Sequence, residues 1–425
     1  MTTSTPQARA VGDSMIFDWA EGIEIELDRF HAGHEDISAD VYIRSKLVPN
    51  PGLLHFGRLN LMTAKTRGDL AKMLADRLNC VSWPDILLQL CTIAVQRYRT
   101  GEPAVDLRAV DVNKRERWLL YPYLEYGGPT ILYAEGGVGK SVLALWIALQ
   151  VALGPHNARG EPIAPAAALY LDWETSAEVH AERLRALAAG MHTDMGACPP
   201  LFYRRMFASL PASLAAVRRE IDTLKAGIVV IDSLAFAGEG APEESGTAVQ
   251  LFQAVRSIPV PVLCVHHKRK SMSGVKNENQ RDRLFGSVYY LNSARLVWEA
   301  DSRATPEDND TRYITLKNVK ANNGRLEQSR NLAVTFTNEN EHLTTITVKH
   351  VDPREMIDAG YGEQLGTREK ILAELANGGH TVQELADDLD MERNAVDQAL
   401  RRLRKSGLAT SASRGFWILP AQKID

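Results

Sequence analysis

The sequence lacks any run of 18 uninterrupted apolar residues, and its opening, MTTSTPQARAVGDS, has no apolar centre of the kind a secretory signal needs. A soluble, cytoplasmic protein with no membrane partner is expected. Cysteine is scarce: Cys80, Cys91, Cys198 and Cys264 form no C-x-x-C pair and no regular framework, so reduced thiols are expected. Cys264 stands beside His266 and His267, but its neighbours are apolar, which favours a buried strand cysteine over a metal ligand. An excess of positive charge is also missing. With 49 Lys and Arg against 53 Asp and Glu, the net charge of −4 argues against a uniformly basic nucleic-acid binder and leaves that role to local patches.

What is present is an ordinary globular composition, 45% hydrophobic and 24% charged, over 425 residues, enough for two or three domains. One stretch organises the rest: residues 130–145, TILYAEGGVGKSVLAL. Ile131, Leu132 and Tyr133 predict a buried strand, the glycines a tight turn, and the apolar run after Lys140 a helix. Gly136, Gly137 and Gly139 permit backbone angles closed to other residues, so successive N–H groups of Glu135, Gly136, Gly137, Val138, Gly139 and Lys140 can face phosphate oxygens. Lys140 would bridge the β- and γ-phosphates, Ser141 would ligate Mg²⁺, and Val142 follows in the first helical turn. The pattern G-x-x-x-x-G-K-[ST] departs only at its first position, where Ala134 stands.

Beyond this loop, short apolar runs (167–171, 228–231, 260–265, part of 287–297, 313–316, 332–337) alternate with helical stretches (141–153, 177–189, 211–225). That alternation predicts a parallel sheet with crossover helices, whose later strands could pair antiparallel. Ile228-Val229-Val230-Ile231-Asp232 reads as a buried strand with an acidic tip, which places Asp232 on the Mg²⁺. Ala168-Leu169-Tyr170-Leu171-Asp172-Trp173-Glu174 ends in a second carboxylate. Glu174 is read as the base for an attacking water, the alternative being a cap of the following helix.

The order of these motifs resembles the RecA/DnaB superfamily, and most closely the RepA-type hexameric replicative helicases of plasmids and related mobile-element ATPases. The likeness covers roughly residues 118–345 and includes Leu263-Cys264-Val265-His266-His267-Lys268 and the run from Gly286 to Arg295. It implies a RecA-like ATPase that binds ATP and Mg²⁺ and works as a homo-oligomer, a hexamer in that family. It also implies a γ-phosphate sensor at His266 or His267 and an arginine finger at Arg295 that serves a neighbouring subunit. Lys320 resembles the trans-acting lysine of the wider DnaB group, although Asn322 stands where that group has arginine. The basic stretch containing Lys268, Arg269, Lys270, Lys276, Arg281 and Arg283 occupies the place of a channel loop for single-stranded DNA. A solvated loop is the alternative.

The flanks carry less chemistry. Residues 1–14 are expected to form a disordered tail and 15–112 a small α+β domain. Strands at 41–47 and 53–61 would flank Pro49-Asn50-Pro51-Gly52, and helices would follow at 67–78 and 83–98, the second capped by Ser82. His31, His34, Glu35 and Asp36 read as a solvated loop rather than a metal site. Aromatics at 118–126 suit either the nucleotide base or a domain boundary. The ATPase domain is placed at 113–350, a linker at 351–365, and a winged helix-turn-helix at 366–420. In that module Arg393, Arg401, Arg402, Arg404, Lys405 and Arg414 could meet duplex DNA phosphates, or the module could instead bind protein. The whole reads as an α/β protein: a RecA-like, mostly parallel sheet with flanking helices, plus a small N-terminal α+β domain and a C-terminal winged helix. Its expected function is that of an oligomeric, DNA-remodelling ATPase. The alternative is an ATP-switched recombination or loading factor, or a regulator, without unwinding activity.

Overall fold

The computed structural model describes residues 3–11, 14–33, 36–48, 52–101, 104–112, 116–268, 288–302, 310–340, 342–413 and 415–420. The chain divides into two compact units, Met1–Glu116 with Ala212–Leu224 and Ser257–Pro259, and Arg117–Pro211 with Lys225–Arg256 and Val260–Asp425.

In the first unit, β1 (Gln7–Val11), β2 (Ser14–Trp19), β3 (Ile23–Ala32), β4 (Ile37–Ser45) and β5 (Leu53–Asn60) form an antiparallel sheet in chain order. Strict alternation builds its inner face: Ile23, Ile25 and Leu27 on β3, and Ile37, Ala39, Val41 and Ile43 on β4, are all buried. Helices α1 (Ala64–Arg77) and α2 (Trp83–Thr100) add Leu70, Leu74, Trp83, Ile86, Leu87 and Leu90 to the same core. Ser82 does precede α2, but its hydroxyl donates to Asp85 (2.6 Å) instead of accepting from the helix backbone. The expected disordered tail needs correction. Gln7–Val11 pairs along β2, because an edge strand needs only main-chain partners, and its polar composition concealed it.

The second unit is built on a nine-stranded sheet. Its strands are β8 (Thr130–Ala134), β9 (Ala167–Asp172), β10 (Leu201–Arg205), β11 (Ala226–Asp232), β12 (Val262–His267), β13 (Leu296–Asp301), β14 (Thr311–Ala321), β15 (Arg330–Glu339) and β16 (His342–His350), after a short hairpin β6 (Trp118–Leu120) and β7 (Leu124–Glu125). The spatial order is β10-β9-β11-β12-β8-β13-β14-β15-β16. The first six run parallel, and β14 to β16 are antiparallel. This is the RecA-like arrangement expected, with β10 and β16 added at its edges.

The connections between these strands carry α3 (Lys140–Leu153), α4 (Ala177–Gly190), α5 (Leu210–Leu224, of which Ala212–Leu224 is counted in the first unit), α6 (Leu234–Ala237), α7 (Ser245–Arg256) and α8 (Val288–Ser293). Helix α3 is apolar on every side because it is buried: Val142 through Leu149 are all inaccessible. Both faces of β8 are likewise buried, Leu132 and Ala134 in the cluster around α3 and the alternate Ile131 and Tyr133 opposite. The aromatics near the hairpin belong to this core. Tyr123 packs against Trp146 and Trp298, with ring centroids 5.4 and 5.9 Å apart, so it serves packing rather than a nucleotide base.

The expected linker is an ordered connection. It contains α9 (Pro353–Asp358), and Met356, Tyr361 and Leu365 form a small cluster in which Tyr361 meets Tyr313 at 4.8 Å. Then come α10 (Thr367–Asn377), β17 (His380–Thr381), α11 (Val382–Asp388), α12 (Arg393–Lys405), β18 (Thr410–Ser413) and β19 (Phe416–Ile418). A capping box opens α11: Thr381 Oγ1 accepts from Glu384 N (3.2 Å), and Thr381 N donates to Glu384 (2.6 Å). Strands β18 and β19 form the wing, and β17 joins them as a third strand.

Candidate nucleotide-binding site

Parallel strands deliver their carboxyl ends to one edge of the sheet, and the site lies there. Gly137 (φ +80°) and Gly139 (φ +104°) take the left-handed conformations that wrap the loop from β8 into α3. The Lys140 ammonium is drawn back onto that loop, donating to the carbonyls of Glu135 (2.7 Å) and Ala134 (3.2 Å). Burial pushes the Lys140 pKa below its usual value, opposed by the charges of Asp232, Glu174 and Glu135.

Asp232, at the tip of β11, is 6% exposed and accepts from the Tyr170 hydroxyl at 2.7 Å and from the Ser141 hydroxyl. Burial raises its pKa, against those two hydrogen bonds. A buried carboxylate facing a hydroxyl at a helix N-terminus is a hard oxygen pair that suits a magnesium ion, which would offset the burial.

Glu174 is positioned by its neighbour. Asp172 is fully buried and accepts from the backbone N–H groups of Glu174 and Thr175 (both 2.9 Å), from His180 Nε2 (3.1 Å) and from the Tyr203 hydroxyl (3.3 Å). Burial pushes the Asp172 carboxyl up, but the His180 and backbone hydrogen bonds outweigh it and leave the group below its ordinary value. Asp172 therefore clamps the turn that presents Glu174. The Glu174 carboxylate accepts from Ser233 Oγ (2.6 Å) and lies 3.5 Å from His267 Nε2. The His267 hydrogen bond is the main cause of its lowered pKa; burial opposes it, and the Ser233 hydroxyl assists.

The two histidines separate. His267 is half-buried at the cleft, whereas His266 points to the other face of β12 and stacks on Tyr290 at 4.8 Å and 15°. Strand alternation makes this unavoidable, and it leaves His267 as the one that lines the cleft with Lys140, Glu174 and Asp232.

A cleft of about 340 Å³ gathers Gly136, Gly137, Gly139, Lys140, Ser141, Val142, Glu174, Asp232 and His267, together with Arg183, Arg312 and Phe336. The last three were not foreseen. Arg312 Nη1 donates to the Gly137 carbonyl at 2.6 Å, and its guanidinium lies 5.3 Å from the Phe336 ring centroid. The expected strand at 313–316 stopped one residue short of Arg312. Extending the period-two pattern of Arg312, Ile314 and Leu316 backwards was the available signal.

Other expected contributors lie elsewhere. Arg295 is exposed at the start of β13, level with Pro129, whose carbonyl accepts from its N–H (2.9 Å). That is the opposite end of β8 from the loop, about five residues or roughly 16 Å away. Lys320 is committed within its own chain: its ammonium donates to the carbonyls of Leu291 (2.8 Å), Asn292 (2.8 Å) and Ala294 (2.7 Å), closing the C-terminal end of α8. Lys268 pairs with the buried Glu299 carboxylate at 2.9 Å and donates its N–H to Ala134 O, so it serves as a strut rather than a DNA contact. Arg269, Lys270, Lys276, Arg281, Arg283 and Arg414 lie outside the described residues. Arg393, Arg401, Arg402, Arg404 and Lys405 are all exposed on α12, and Arg401 pairs with Asp397 at 2.8 Å.

Among the described residues no group of three or more His, Cys, Asp or Glu side chains could hold a metal, and no helix is long and apolar enough to cross a membrane. Residues 98–273 match a family described as an AAA domain, and residues 366–411 match the arsR family of bacterial regulatory proteins. No curated protein matches the chain. The chain thus joins a P-loop ATPase domain of RecA-like fold to a C-terminal helix-turn-helix, the combination of a DNA-associated ATPase.

Proposed function

We propose that this protein is an oligomeric, Mg²⁺-dependent ATPase that acts on DNA, in the manner of a RepA-like replicative helicase working on single strands in the cytoplasm. One observation carries the reading: Lys140, Ser141, Asp232, Glu174 and His267, drawn from four separate stretches of sequence, line one cleft at the carboxyl edge of the sheet. Lys140 binds the β- and γ-phosphates. Ser141 and Asp232 hold the magnesium ion, which supplies charge neutralisation to the phosphates. Glu174 orients the attacking water, and His267 links that carboxylate to the strand that leads into the basic loop.

The lowered Glu174 pKa keeps the carboxylate ionised and suits it to accept a hydrogen bond from the attacking water. Arg295 can serve only another copy's nucleotide, being at the far end of the sheet, so its role as a finger requires a homo-oligomer.

A second reading has its own support. The arsR-family match and the exposed basic face of α12 favour a DNA-binding regulator in which ATP is a conformational switch. ATP turnover with and without single-stranded DNA, read with native mass, separates the two. Stimulation by single strands on a multimeric species is expected. Turnover indifferent to single strands, with tight binding to duplex, would favour the regulator.

A further inference from the structure

Among the described residues, two cations rest on the phosphate loop's own carbonyls, Lys140 on Ala134 and Glu135, and Arg312 on Gly137. The sheet register explains how Arg312 gets there. Strand β14 runs antiparallel to β13 with Thr315 opposite Asp301, the last residue of β13. Arg312, three residues further along, therefore projects past the carboxyl edge, level with the loop. Ile314 on the same strand side approaches the loop as well, lying 3.7 Å from where a Cβ on Gly139 would stand. Phe336 donates its N–H to Asp310 O (2.8 Å), and the Arg312 guanidinium lies over its ring, 5.3 Å from the centroid.

We infer that Arg312 is a catalytic arginine supplied in cis: once nucleotide fills the cleft, its guanidinium leaves the Gly137 carbonyl for the phosphate oxygens. The inference rests on the phosphate-site reading above. No bond to Arg312 forms. As the water oxygen attacks and the bond to the leaving diphosphate breaks, the planar cation offsets charge on the transferring phosphoryl, with Phe336 holding its plane. Arg183 lines the same cleft from α4, beside Tyr170, but Arg312 is the one that touches the loop. The site would then carry its own charge-stabilising arginine, and Arg295 would adjust rather than complete it.

The test is single-turnover ATP hydrolysis by the full chain carrying R312A, R312K or K140A, with ADP affinity measured by a fluorescent analogue. R312A should slow hydrolysis by about 10²- to 10⁴-fold while ADP affinity stays near wild type, and R312K, which keeps charge but not the planar fork, should recover part of the rate. Mixtures of R312A and K140A chains should regain nothing at any ratio, because an intact site needs both residues on one chain. Rescue in such mixtures would place Arg312 on a neighbour's nucleotide and overturn the cis assignment. Near-wild-type hydrolysis by R312A, with K140A inactive, overturns the Arg312 inference alone; undiminished hydrolysis by K140A overturns the phosphate-site reading itself. Should R312A melt early, a loss of rate in a folded R312K supports the inference, and an unchanged rate there contradicts it.

Discussion

The two ends of β8 offer the same raw material, lysines and arginines near strand termini, and use it in opposite ways. At the carboxyl end, Lys140 and Arg312 rest on loop carbonyls in a cleft that also holds two acidic groups, Glu174 and Asp232. At the amino end, Lys320 caps α8 through three carbonyls, and Arg295 lies with its stem over Gly128. Position on a parallel sheet, more than residue type, decides whether a cation is exchangeable. At the carboxyl edge loop N–H groups and a helix N-terminus leave room for an anion. At the amino edge the cation's partners are permanent features of the fold.

Several substitutions sharpen or break this contrast. The largest effect should come from Glu174→Gln, which keeps the shape of the acceptor but removes its charge. Turnover should fall by about 10²- to 10⁴-fold while Mg-ATP still binds, measured by rapid-quench hydrolysis alongside equilibrium binding. Near-normal turnover would make Glu174 a structural turn residue like Asp172. At the other edge, Lys320→Met should leave ATP binding intact yet lower stability by about 1–3 kcal/mol, because three helix-end carbonyls lose a charged donor. Urea unfolding checks this, and loss of ATP binding without loss of stability would break the distinction between the edges.

The smallest effect should be a shift in pH dependence. Glu174 must be ionised to act, so activity falls as pH drops through its pKa. His267→Ala removes the main cause of the lowered value, so the acid limb of kcat/KM should move to higher pH. An unmoved limb would show that another group sets it.

The legibility of the sequence follows the same divide. The placement of the loop, Asp232 and Glu174 at one sheet edge was legible, because each is a local motif: an apolar strand followed by glycines or ending in a carboxylate. The RecA-like sheet was legible for a similar reason, each buried parallel strand being a continuous apolar run. Arg312 was not, since only the register of β14 on β13 carries it past the sheet edge. Lys268 and Lys320 resembled free cations because their partners, Glu299 and the end of α8, are distant in sequence. Strand β1 and helix α9 read as tail and linker in the sequence because their polar residues gain order only from tertiary partners: the edge of β2 and the cluster around Tyr361. The choice between His266 and His267 was open in the sequence. The parity of β12 turns His267 toward the phosphate cleft and His266 toward Tyr290.

The most direct measurement for the central claim, that the carboxyl edge of the sheet is an ATP-hydrolysing site, is steady-state phosphate release by the wild-type chain and Lys140→Ala under identical conditions with magnesium. The wild-type chain should turn over ATP, and Lys140→Ala should fall to background while remaining folded. Equal turnover by the two would contradict it.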